Sequence, residues 1–210
     1  MEPAVVFSHS IQTSEGELLI QGPVSADVLS VLQMDSGLKA FRPPTRQLEA
    51  LTGISQMENS RVVIAQREGI LLGYVTFHPP ESFERWAHGP QHVLELGAIE
   101  VSPVIRRYGV ARHLLEVAFS DLTMENYLVV ATEYYWHWDL EGSGLHIWEY
   151  RDIMRRLMAH VGMVVKDTDE EEIASHPANM LTVRYGRDVP HEAVIAFEEL
   201  LFKKPDSNRG

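Results

Sequence analysis

Apolar positions recur along the chain with two periods, and each period predicts an element. Residues 4–7 (AVVF) and 17–20 (ELLI) read as short strands. Ser25 opens a helix in which Val28, Leu29, Val31 and Leu32 fall at helical spacing, and Arg42-Pro43-Pro44 breaks the pattern. A second helix from about Thr45 to Ser55 carries Leu48, Leu51 and Ile54. The β-branched runs 61–66 and 70–77 flank Glu68-Gly69 and predict a hairpin. Residues 78–90 read as loop or short helix, and 92–101 as a strand that Pro103 ends. A helix from about Gly109 to Met124 turns Val110, Leu114, Leu115, Val117 and Ala118 inward. A strand at 127–132, an aromatic loop at 134–144, a helix from Leu145 to His160 and strands at 161–165 and 180–185 follow. A last helix runs from Asp188 (cap) and Pro190 to Phe202.

This order predicts an α/β (α+β) fold with one mixed sheet between helices. Nothing marks a linker, so 1–210 reads as a single domain. Its core covers about 60–187, preceded by strands and helices within 1–58 and followed by a helix at 188–202 and a frayed tail at 203–210.

Charge narrows the function. With 18 basic and 30 acidic residues the net charge is −12, which disfavours nucleic acid and anionic membranes as partners. The absence of cysteine removes disulfides, thiolate metal sites and a thiol nucleophile, and fits a cytoplasmic location. No apolar run is long enough to span a membrane, and residues 1–10 lack the pattern of a signal peptide. The ten histidines show no zinc-type spacing, so no metal is expected. The acidic run from Asp167 to Glu172 reads as a solvated loop or helix start.

Against this acidic background one segment inverts the sign. Residues 101–115 hold three arginines, one histidine and no acid, where the average acid content predicts about two. The segment leaves a strand and opens a helix, whose first turn offers unpaired N–H groups and a partial positive charge. Gly109 and Ala111 let the backbone approach an anion closely, and Arg106, Arg107 and Arg112 add charge.

Arg106-x-x-Gly109-x-Ala111 resembles the acyl-CoA loop of the GNAT N-acetyltransferase superfamily, with signature Gln/Arg-x-x-Gly-x-Gly/Ala. Further stretches resemble a narrower family, the acetoin-utilisation protein A acetyltransferases: AFRPP (40–44), GYVTFHPPESFERW (73–86), ELGAIEVSP (95–103), MENYLVVATEYYWHWDL (124–140), WEYRDIM (148–154) and SHPAN (175–179). The likeness implies a GNAT fold, with a mixed, mostly antiparallel sheet flanked by helices. It implies acetyl-CoA as co-substrate, bound by Val101, Arg106, Arg107, Tyr108, Gly109, Val110, Ala111 and Arg112, with the pyrophosphate on the loop from Arg106 to Arg112. It also implies that a lysine of acetyl-CoA synthetase receives the acetyl group, which switches that enzyme off.

A lysine amine is neutral in only about one molecule in 10³ at pH 7, so the acceptor needs a base. Glu95 and Glu100 lie on the strand that enters the loop. Period-two alternation puts them on opposite faces, so one of the two is expected in the site. The resemblance places a catalytic glutamate at Glu95, an oxyanion donor at the Val101 N–H, and an acid for the leaving thiolate at a tyrosine, with Tyr150 placed better than Tyr134 or Tyr135. Trp136, His137 and Trp138 read either as a wall that orients the acceptor or as a packed loop. Direct transfer in a ternary complex is expected, favoured by the lack of a cysteine on which to park the acyl group. A homodimer is a further expectation, from terminal segments that exceed a minimal core. Two other readings fit the same residues: acetylation of a small amine, and a non-catalytic acyl-CoA sensor that inhibits a partner by docking.

Overall fold

The computed structural model describes residues 5–202. The chain begins with two antiparallel strands, β1 (Phe7–Thr13) and β2 (Gly16–Gly22), so the first strand starts where the AVVF run ends; residues 1–4 lie outside the described part. The Ser25 helix is one short turn, α1 (Ala26–Ser30), and the Ser25 side chain makes no capping bond. Val31 falls just past its end and is exposed. A two-residue strand, β3 (Gln33–Met34), precedes α2 (Pro44–Ser55), which starts at proline as its preset φ allows.

The hairpin is β4 (Arg61–Arg67) and β5 (Ile70–His78). Glu68 (φ 50°) and Gly69 (φ 81°) form its turn, both left-handed as a two-residue hairpin loop demands. Then come β6 (Val93–Val101), α3 (Val110–Ser120), β7 (Leu128–Glu133), the short α4 (Leu140–Ser143), α5 (Ile147–His160) and β8 (Val164–Lys166). A turn of helix, α6 (Glu171–Ala174), β9 (Met180–Tyr185) and α7 (His191–Glu198) complete the order.

Several boundaries differ from the sequence pattern for local reasons. α3 stops at Ser120, because Asp121 turns extended and caps a separate 3₁₀ turn at Leu122–Asn126. Pro190, not Asp188, stands at the N-cap of α7, which ends at Glu198 rather than Phe202; the expected tail 203–210 is outside the described residues. Glu170 in the acidic run accepts from the N–H groups of Glu172 and Ile173 and so starts α6.

The strands form one sheet in the order β1-β2-β4-β5-β6-β7-β9-β8, with β3 beside β5. Among the described residues only β6–β7 and β3–β5 are parallel. The inward positions of α3 are those the periodicity marked, and they pack with Met158 of α5 on one face. The other face is covered by α1 and α2 over β4 and β5, and by Phe197 of α7, Trp86 and Ile173 over β7 and β9.

Candidate active site

β6 and β7 pair only along Val93–Glu95 and Leu128–Val130. Beyond Glu95 the strands part, β6 following β5 to Val101 and β7 running on to Glu133. A cleft of about 800 Å³ opens between them, lined by both strands, the start of α3, the 134–139 loop and α5.

A bulge in β6 decides which residues face it. Leu96 opposes Phe77 and Ala98 opposes Thr76, so Gly97 is the extra residue. A Cβ at Gly97 would run into His78 Nε2, which explains glycine there. The expectation that Glu95 and Glu100 lie on opposite faces fails for this reason. Glu95 opposes His78 and Glu100 opposes Tyr74, and these partners sit at even spacing on one strand, so both carboxylates share a face.

The two are differently engaged. Glu100 Oε1 accepts from the Ala40 N–H at 2.7 Å and Oε2 from the Tyr74 hydroxyl at 2.7 Å, pinning the 36–43 loop to the sheet. Glu95 is 6% exposed, and its Oε2 has no hydrogen-bond partner. Burial, with Glu84 and Glu81 close by, pushes its carboxyl up to about 9, while the Thr132 hydroxyl pulls it down.

At the other end of the cleft, Ser102 donates its N–H to the Leu72 carbonyl at 2.8 Å. Antiparallel alternation then makes Gly73–Val101 a non-hydrogen-bonded pair, so the Val101 N–H points away from β5 toward the gap. Arg107 (φ 79°) and Gly109 (φ 69°) both adopt left-handed backbone and turn the chain into α3. The first bond of that helix runs from the His113 N–H to the Gly109 carbonyl, leaving the N–H groups of Val110, Ala111 and Arg112 ahead of the ladder. These groups fit a pyrophosphate.

The side chains of the loop divide. Arg106 pairs with Asp139 at 2.6 Å, across the cleft, and Arg112 with Glu116 at 2.9 Å on its own helix. Arg107 lines the cleft. The Tyr108 side chain turns away: its hydroxyl meets Ser14 Oγ at 2.7 Å and accepts the Ser14 N–H at 3.1 Å, tying the loop to the β1–β2 turn. Unlike its neighbours in the loop, Tyr108 does not line the cleft.

Tyr150 lines the cleft and stacks on Trp138 at 5.3 Å. Burial raises its hydroxyl against the opposing Arg106 charge, so it stays protonated at neutral pH. Trp138 is buried and donates Nε1–H to Glu133 at 3.3 Å. Burial lifts Glu133 to about 7. Trp136, by contrast, is 48% exposed and stacks on Tyr134 at 4.7 Å, so the two tryptophans play different parts. His137 is exposed and meets Phe41 edge-on, with desolvation lowering its imidazole. His146 caps α5 through Trp148 and Glu149.

Sequence reasoning missed Glu84, Glu133 and Asp139. The signal for Glu133 was present, as a carboxylate at the C-terminal end of a strand next to a chain reversal. Glu84 had none, since its place depends on how the 78–92 loop folds over β6.

Residues 31–137 match the model of the acetyltransferase (GNAT) family. The acetoin utilization protein AcuA of Bacillus subtilis is 46% identical over 196 residues, covering 93% of each chain. AcuA of Bacillus licheniformis is 43% identical over the same share. The crystal structure of an acetoin utilization protein from Exiguobacterium sibiricum superposes with a TM-score of 0.93 at 45% identity over 96% of both chains. The GNAT domain of S. lividans PAT, 14% identical, shares the fold with a TM-score of 0.53 over 84% of this chain and 95% of its own.

Proposed function

Because this chain belongs to the acetyltransferase (GNAT) family, within the AcuA acetoin-utilisation group, and so is an acetyl-CoA-dependent N-acetyltransferase, we propose that its acceptor is a lysine of a protein, acetyl-CoA synthetase, which acetylation inactivates. The observation that carries this reading is the polarity of the cleft. One end offers Arg107 and the first turn of α3 to an anion; the other gathers Glu81, Glu84, Glu95 and Glu172 around a space suited to an ammonium group.

In this reading the pyrophosphate of acetyl-CoA rests on the N–H groups at Gly109–Arg112, and the thioester lies where β6 and β7 part. The lysine ammonium enters from the acidic end and gives a proton to Glu95. Its nitrogen attacks the thioester carbonyl, and the Val101 N–H steadies the oxyanion that forms. The C–S bond then breaks, and the coenzyme A thiolate takes a proton from Tyr150, which recovers one from the nitrogen of the adduct through solvent. Holding amine and thioester together supplies much of the rate.

A row of aromatics that continues outward from Tyr134, which lines the cleft, favours a protein acceptor. Trp136 contacts Tyr135, Tyr135 packs on His176 at 4.3 Å, and Trp148, also 48% exposed, stacks on the same histidine. The test is intact mass spectrometry of purified acetyl-CoA synthetase after incubation with this protein and acetyl-CoA. A gain of one acetyl group with loss of synthetase activity is expected. An unchanged mass, under conditions where a small polyamine is acetylated, overturns the assignment.

A further inference from the structure

Among the described residues every arginine but two makes a side-chain hydrogen bond or an ion pair. The exceptions are Arg107, which lines the cleft, and Arg151 on α5. Arg151 lines a second hollow, of about 210 Å³, where α5, β8, α6 and the start of β9 meet. Its Nε is buried without a partner. Asp152, next to it in the chain, feels its charge but is bonded by Arg155 and Arg156, each at 2.7 Å. A buried N–H with no acceptor is costly, and in a chain with 30 acidic residues it marks a place where the acceptor comes from outside. The neighbouring polar groups do not supply one. Lys166 donates to Glu198 at 2.8 Å, Thr168 donates to the Leu201 carbonyl at 2.6 Å, and the Asn179 amide bonds the Tyr135 N–H and the Glu172 carbonyl. Asp167 also lines the hollow, without an ion pair to Arg151. His176 Nδ1 accepts the Ala178 N–H at 3.1 Å, so the neutral ring carries its proton on Nε2 as a further donor.

Rings join this hollow to the cleft. Tyr134, in the cleft lining, stacks on Trp136 at 4.7 Å, and Trp136 meets Tyr135 edge-on at 5.4 Å. Tyr135 packs on His176, which lines the hollow. Trp148 stacks on the same histidine and stands three residues before Arg151, on the same face of α5.

We propose that this run of rings is a docking track for the acceptor protein, and that the hollow at its far end takes a carboxylate side chain of that protein on Arg151. This rests on the acceptor being a protein, as proposed above. The rings offer apolar area with little side-chain entropy to lose, and the guanidinium fork matches a carboxylate. The net charge of −12 repels acidic surfaces elsewhere, so an acid on the partner is favoured where Arg151 stands unpaired. A lysine is then chosen by two features at once, its own charge in the cleft and an acid set one track length away on the same surface.

Calorimetry of acetyl-CoA synthetase binding, at low and at physiological salt, tests this with Arg151→Gln beside Arg156→Gln. The second variant removes the same charge from the same helix but outside the hollow. Arg151→Gln is expected to weaken binding about tenfold at low salt and less at higher salt, and Arg156→Gln by no more than about twofold. Acetyl-CoA affinity should be the same in all three proteins, which also reports that the fold is intact. Arg151→Lys should recover only part of the loss, because a point charge lacks the fork. Equal losses in the two glutamine variants, or no loss in Arg151→Gln where the wild type binds, overturns the proposal. Should the wild type neither bind nor acetylate the synthetase, the acceptor assignment fails instead. The hollow is then tested alone, by titrating glutarate into nitrogen-15-labelled protein. A shift of the Arg151 Nε–H resonance, absent at Arg156, is expected, and an unmoved resonance overturns the site.

Discussion

Glu95 carries the tension between stability and activity at a single residue. In the unfolded chain its carboxyl ionises near the ordinary value of 4.5, whereas in the fold it holds its proton to about 9. The native state therefore binds more protons than the unfolded one across that interval. The contribution of Glu95 to stability is full below 4.5 and is lost as pH rises through 9. Glu133, lifted from 4.5 to about 7, acts with the same sign over a narrower window. Glu95→Gln should thus melt at a higher temperature than the wild type at pH 8 to 9, with the difference vanishing near pH 4.5 in calorimetric scans. At this scale the sequence showed which residue types the chemistry needs and where the anion loop lies. It could not show Glu100 held on both oxygens by Ala40 and Tyr74, because those contacts join segments far apart in the chain.

At the level of elements, a one-residue irregularity sets the site. Alternation along β6 was legible, as were the other strands and the long helices between about 60 and 187, whereas β3 was not read and β1 lies after the run expected to form it. The Gly97 bulge was not, because a glycine among apolar residues gives no sign of whether the pleat keeps its phase. That bulge shifts the second half of β6 by one position and brings two carboxylates to one face. The loop from Arg106 to α3 works differently, through backbone more than side chain. Arg106 and Arg112 already have acidic partners, and the Tyr108 side chain is spent on Ser14. In the proposed mechanism the α3 amides behind Gly109 are what the pyrophosphate meets. Gly109→Glu places a side chain in left-handed backbone, at about 1 kcal/mol, and adds a carboxylate where the anion would sit. Calorimetry should find acetyl-CoA binding weakened at least ~30-fold by the combined strain and like charge. Unchanged affinity would remove the loop from the account.

Across the whole molecule, the charge of −12 is organised rather than uniform. In the proposed mechanism the arginine loop takes the anionic co-substrate and the glutamates that line the same cleft take the acceptor amine, with the exposed aromatic row outside the cleft. The row was visible in the sequence as a cluster, yet only the fold separates Trp138, which braces Tyr150 and Glu133, from Trp136, which is open to a partner. Trp136→Ala should therefore weaken turnover of acetyl-CoA synthetase about tenfold, mainly through KM, and leave transfer to a small amine near the wild-type rate. The reading as a whole turns on Glu95 taking the proton while Glu100 holds the loop. Steady-state kinetics of Glu95→Gln and Glu100→Gln, run beside calorimetry of acetyl-CoA binding, tests this most directly. Glu95→Gln is expected to lose ~10² or more in kcat with acetyl-CoA affinity intact, and Glu100→Gln to keep most of its kcat. The reverse order, with Glu100→Gln inactive and Glu95→Gln turning over normally, would contradict it.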